Sequence, residues 1–130
     1  MPANDLADFI AKTKQLNWAF AGMVDEFYSR PRRAPMSHRF SQVYNRHQLG
    51  WLETDVLRYG DPPKPAIARI EKALRAVQKF RAQLIADPYQ CTQQHRIESW
   101  RRSHERYGGK HWLQTREKHL AEVMRENGHG

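Results

Sequence analysis

Residues 65–88 read PAIARIEKALRAVQKFRAQLIADP, and this stretch decides the fold. Ile67, Ile70, Leu74, Val77 and Leu84 fall on one face at helical spacing, and Ala73, Phe80 and Ile85 widen the stripe. Pro65 suits a first helical turn, where the missing N–H would have had no partner. Asp87-Pro88 stops the helix, because a residue before proline is pushed out of helical geometry. Opposite the apolar stripe lie Arg69, Lys72, Arg75 and Lys79, with Glu71 as the main acid in helical reach. One amphipathic helix of this length needs partners to cover its apolar side.

Those partners lie on both flanks and are also helical. Upstream, Gly60-Asp61-Pro62-Pro63 closes a helix capped by Ser37 or Ser41 that runs to Tyr59, with Phe40, Val43, Tyr44, His47 and Trp51 on one side. Gly50 weakens its middle and predicts a kink or a split. Further upstream Leu6, Phe9, Ile10, Thr13, Leu16, Phe20, Val24 and Phe27 mark a first helix to about Tyr28, with Asn4 or Asp5 as N-cap. Its back carries Ala7, Ala11, Trp18 and Gly22, small enough for another backbone to approach. Such a helix is either central or offers a seam for a partner or a homodimer.

Downstream, Thr92 can start a helix with Ile97, Trp100, His104 and Tyr107 on one face. Gly108-Gly109 breaks it, and a last helix carries Trp112, Leu113, Leu120, Val123 and Met124. No segment alternates with period two. The expectation is an all-α fold: a single domain over 1–130, a compact bundle of about five helices with a C-terminal helical hairpin. The helices at 6–28 and 65–86 supply the core, and the hairpin packs across them on Trp100, Tyr107, Trp112 and Leu120. Residues 1–3 and 127–130 are expected to fray, and 29–37 to form a basic Pro/Arg loop.

Charge separates the segments more sharply than hydropathy does. The chain has 22 Lys+Arg against 14 Asp+Glu, a formal charge of +8. Residues 27–52 contain Arg30, Arg32, Arg33, Arg39 and Arg46 and no acid, and residues 62–86 set six bases against Glu71 alone. Guanidinium forks suit phosphate and carboxylate. If the Arg30–Arg39 segment lies beside the third apolar helix, Arg30, Arg32, Arg33, Arg39, Arg69, Lys72, Arg75 and Lys79 share one surface that would bind a polyanion with steep salt dependence. The same stripe also suits an acidic protein partner, and a basic stripe opposite an apolar one is in addition the form of a simply solvated face.

Most chemistries find no support in the sequence. No apolar run approaches the ~20 residues a membrane span needs, and the N-terminus lacks the features of a secretory signal. A cytoplasmic protein without membrane contact is therefore expected. Cys91 is the one cysteine, so an internal disulfide is impossible. No glycine-rich phosphate loop occurs, and no cofactor is expected. Cys91 with His95 could join a zinc site, and His95/Glu98 and His119/Glu122 are His-x-x-Glu pairs, but their order and faces do not match a bundle carboxylate site. A Cys91–His95 nucleophile pair lacks an orienting acid. His104 and His119 read better as core-edge residues, and no metal or catalytic set is expected.

Arg101 to Met124 has the outline of a helix-turn-helix. His104 or Glu105 occupies the position that needs a small residue, and Trp112-Leu113 should be buried rather than read bases. Arg116 and Lys118 could reach phosphates, which specifies no sequence. The expected function is a non-enzymatic protein that binds nucleic acid or a nucleoprotein complex through its Arg/Lys surface, with the economy of an accessory or regulatory protein of a mobile element. The alternative is an inhibitor or adaptor that docks on an acidic protein, or a dimer through its first helix.

Overall fold

The computed structural model describes residues 3–128, and every element of regular structure among them is helical. In chain order these are α1 (Ala3–Tyr28), α2 (Ala34–His47), α3 (Trp51–Leu57), α4 (Pro63–Ala86), α5 (Gln94–Tyr107) and α6 (Gly109–Glu126). Among the described residues no helix is long and apolar enough to cross a membrane.

The bundle is built on α1 and α4. Phe9, Leu16, Phe20, Val24 and Phe27 of α1 meet Ile67, Ile70, Val77, Phe80 and Leu84 of α4 in one buried cluster, as the two apolar stripes require. Helix α6 closes a second side with Leu120 and Val123, and α2 and α3 add Phe40, Leu52, Val56 and Leu57. Aromatic rings interlock the layers. Phe27 of α1 stacks on Phe40 of α2 at 3.8 Å, and Phe20 of α1 stacks on Trp112 of α6 at 4.5 Å.

Among the described residues six helices stand where about five were expected, because the segment read to Tyr59 splits near Gly50, one of the two outcomes expected there. The break lies at Gln48–Gly50, and glycine is needed there for space rather than for backbone freedom. Gly50 has ordinary right-handed angles, but a Cβ there would sit 2.6 Å from the Arg116 guanidinium. Helix α2 also begins earlier than either serine cap, at Ala34, with Pro35 in its first turn. The basic loop is thus shortened from 29–37 to 29–33. Gly60, at φ 77°, makes the left-handed stop that Gly60-Asp61-Pro62-Pro63 implied.

The hairpin is formed by α5 and α6, which meet at Gly108. Trp100 is half-buried and donates its indole N–H to the Phe27 carbonyl at 3.1 Å. Tyr107 departs from expectation, being 50% exposed rather than packed in the core. Helix α5 has no fully buried residue, so its outer end stays open to solvent. Helix α5 starts at Gln94 rather than at Thr92, without a side-chain cap. At the ends, Ala3 opens α1 and Asn127 donates its amide to the Val123 carbonyl at 2.7 Å. The Asn4 side chain and residues 1–2 and 129–130 lie outside the described residues.

Candidate nucleic-acid interface

The two basic segments meet where α2 runs antiparallel to α4. Arg39 of α2 donates to Gln83 Oε1 of α4 at 2.5 Å, and its guanidinium lies 5.6 Å from the Phe80 ring. About two turns further along α2, His47 lies within electrostatic reach of Lys72, and at the far end Arg69 lies over Trp51 of α3 at 5.7 Å. Arg39, Arg46, Lys72, Lys79 and Arg69 therefore follow the α2–α4 seam, all exposed. Arg75 is also exposed, on the outer side of α4. Arg33 stands at the loop end, exposed, 4.8 Å over the Tyr89 ring. None of these cations makes an ion pair among the described residues.

Two of the arginines assigned to that surface do not belong to it. Arg32 is 1% exposed, and its guanidinium donates to the carbonyls of Leu84 at 2.8 Å, Glu26 at 2.6 Å and Phe27 at 3.4 Å. Arg30 donates to the carbonyls of Leu84, Asp87 and Tyr89. Both α1 and α4 lack a base in their last turn. Their terminal carbonyls have no helical partner and carry the negative end of the dipole, and the loop arginines satisfy them. Glu26 and Asp87 lie 3.4 Å and 3.8 Å from Arg32, completing a buried charged knot. Burial, then Arg30, lowers the Arg32 pKa from its ordinary value, while Glu26 and Asp87 oppose that shift. The missed signal was the absence of a last-turn base on both helices.

The back of α1 divides. Ala7, Ala11 and Trp18 are exposed, Trp18 at 64%, while Gly22 lies against the side chain of Arg81. The close backbone approach occurs instead at Gly109, where a Cβ would collide with the Ala21 carbonyl oxygen. Asp25 of α1 joins the hairpin there: its Oδ1 lies 2.7 Å from His104 Nε2 and 3.4 Å from the Gly109 amide.

Sequence reasoning also missed a buried polar cluster under α3. Glu53 is 2% exposed and accepts a hydrogen bond from Arg116 at 2.6 Å, with His119 Nε2 at 3.5 Å from its other oxygen. Arg116 is thereby withdrawn from any phosphate contact. Burial raises the Glu53 carboxyl above its ordinary pKa, against the opposing pull of Arg116 and His119. Asn17 of α1 lines the same recess, and its buried Nδ2 has no partner. Nothing in the helical pattern distinguishes Glu53 from the surface acids, since its burial depends on α6 folding back.

Above that recess opens a cleft of about 550 Å³ between α1, α2 and α6. Tyr28, Phe40, Tyr44, Tyr107 and Trp112 wall it, and Ser41, Asn45, Gln48, His111, Thr115 and Arg116 supply polar groups. Burial first, and then Tyr44 and Tyr107, raise the pKa of Tyr28, so its hydroxyl stays protonated among neighbouring phenols. Cys91 has Arg96 near its sulfur at 3.8 Å, and no three His, Cys, Asp or Glu side chains among the described residues converge as a metal site would require. No protein-family model, no curated protein and no solved structure matches this chain.

Proposed function

We propose that this chain is a non-enzymatic protein that binds nucleic acid, or a complex that handles it, through the α2–α4 face. The observation that carries the reading is the contact of Arg39 with Gln83 and Phe80, which sets the cations of two separately encoded segments side by side without internal acids to neutralise them. Arg33, Arg39, Arg46, Arg69, Lys72, Arg75 and Lys79 are the contact residues in this reading. A duplex carries one negative charge per ~1.7 Å, so a row of free cations along a helix pair matches it in sign and in form. No base-reading helix projects from this face, and discrimination would come from nucleic-acid shape or from a partner protein. The role that fits is accessory or regulatory, as in mobile elements.

The test is fluorescence anisotropy of a labelled duplex across a salt series, with the wild type and the double variant K72E/K79E. The wild type should bind at low salt and lose affinity linearly in log–log form, and the variant should bind far more weakly with an unchanged melting temperature. Equal binding by the variant, or wild-type affinity indifferent to salt, overturns the reading.

A second reading rests on Trp18. Its exposed ring borders a groove with Leu120, Ala121 and Met124, flanked by Lys14, Arg125 and Glu117. A second copy of this chain seated there would bring Glu117 against a basic rim, so sedimentation of W18K against wild type tests for a dimer. An acidic protein on the α2–α4 face remains the alternative to nucleic acid, and pull-down with nuclease treatment separates them.

A further inference from the structure

The aromatic cleft has no part in the basic-face reading, yet it is built as a recognition site. Four of its rings come from four helices: Tyr28 from α1, Tyr44 from α2, Tyr107 from α5 and Trp112 from α6. Trp112 is held flat against Phe20 with planes 18° apart, and Phe20 meets Tyr44 edge-on at 5.2 Å. The walls are therefore fixed by the core rather than by a loop. The volume falls in the usual range of small-molecule pockets, about 300–1,000 Å³.

Thr115 donates to the His111 carbonyl and Arg116 to Glu53, but the tyrosine hydroxyls are unspent. Among the described residues the one tyrosine hydroxyl with a hydrogen-bond partner is that of Tyr89, which lies elsewhere, so the phenols of Tyr28, Tyr44 and Tyr107 are free to donate and accept. Gln48, Trp112 and Arg116 also line the recess beneath, where the Asn17 Nδ2, in a residue 4% exposed, has no partner. That recess holds only about 10 Å³, so a ligand in the cleft would lie above Asn17 rather than against it. The Arg116 charge is already matched by Glu53, so the floor of the cleft calls for a neutral ligand rather than an anion.

Flat π faces with mixed donors and acceptors at the edges, and no demand for charge, define the ligand chemistry. We infer that the cleft walled by Tyr28, Tyr44, Tyr107 and Trp112 binds a nucleobase, stacked on the rings and hydrogen-bonded at its edge by Asn45, Gln48 and the phenols. The base can come from a free nucleoside or from an unpaired strand. Only the second source rests on the α2–α4 reading, since α2 separates the cleft from the cations and a strand would have to cross it.

The experiment uses the full chain with adenosine, uridine, a single-stranded oligonucleotide and an abasic strand of equal length and charge. Saturable change in tryptophan fluorescence with a nucleoside, or tighter binding of the base-bearing strand than of the abasic one, is the expected result. Y107S should weaken either by about tenfold, the scale of losing one base-stacking ring. N45A/Q48A, at exposed positions in the last turn of α2 and just beyond it, should weaken it as well while leaving the melting temperature in place. Equal binding of both strands with no response to nucleosides overturns the inference and leaves the basic face intact. Nucleoside binding without any strand binding supports the cleft and rules out the unpaired strand as its source. No response to any of the four probes overturns the inference, and the duplex salt series decides the α2–α4 reading separately.

Discussion

Arg32 and Leu84 are joined by a 2.8 Å hydrogen bond from a buried guanidinium to the last-turn carbonyl of α4, and the same guanidinium reaches the α1 carbonyls of Glu26 and Phe27. One side chain thus ends two helices whose sequences supply no C-terminal cation of their own. Arg96 of α5 then donates to the Arg32 carbonyl at 2.9 Å, which ties the hairpin to the same knot.

Arg32→Met should destabilise the protein by about 3 kcal/mol, because it leaves Glu26, Asp87 and several carbonyls short of a partner. Lysine cannot reproduce the fork, so R32K should recover only part of the loss. R33M, at an exposed neighbour, should change stability by less than about 0.5 kcal/mol. Urea denaturation of the three variants checks the contrast, and equal effects of R32M and R33M would contradict it.

Glycines at two packed positions should respond in opposite directions to alanine. At Gly109 the new methyl meets the Ala21 backbone and the Asp25 Cβ at 2.9 Å, neither of which can retreat, so G109A should cost about 2–3 kcal/mol. At Gly22 the nearest atom is Arg81 Nε at 3.3 Å on a flexible side chain, and helix propensity should yield a gain of up to about 1 kcal/mol. Thermal melts of both variants decide the matter.

G50A is a different case. The atoms it meets are the end of a flexible side chain, but that end is fixed on the buried carboxylate of Glu53. The variant should lose about 1–3 kcal/mol, whereas G50A made in an R116M background should cost less than that, since the clash then has no second party.

Two titrations should pull stability in opposite directions with pH. Glu53 is raised by burial, so its contribution is fully present below the ordinary carboxyl value of 4.5 and is lost as pH rises through the higher folded value. His47 is lowered by burial, then by Arg46 and Lys72, so its contribution is present above 6.5 and lost as pH falls through the folded value. The melting temperature of wild type relative to E53Q should therefore fall as pH rises above 4.5. Relative to H47Q it should fall as pH drops below 6.5. Parallel curves for either pair would refute the corresponding assignment.

The helical class, the α1–α4 core and the breaks at Gly60 and Gly108 were legible in the sequence, because apolar periodicity and backbone-breaking residues act within a few positions along the chain. The fate of each cation was not. Arg32 and Arg39 sit seven residues apart in one acid-free run, yet one is buried on helix-end carbonyls and the other lies in solvent across Gln83. Glu53, which no sequence pattern singles out, is the buried partner of Arg116 from a helix far along the chain. The tyrosines at 28, 44 and 107 share no local pattern and meet because α2 and the hairpin fold against α1. Local propensity and hydrophobic period are properties of neighbours in sequence. Which charges and hydroxyls remain free depends on which carbonyls and carboxylates arrive from distant helices, and only the tertiary packing decides that.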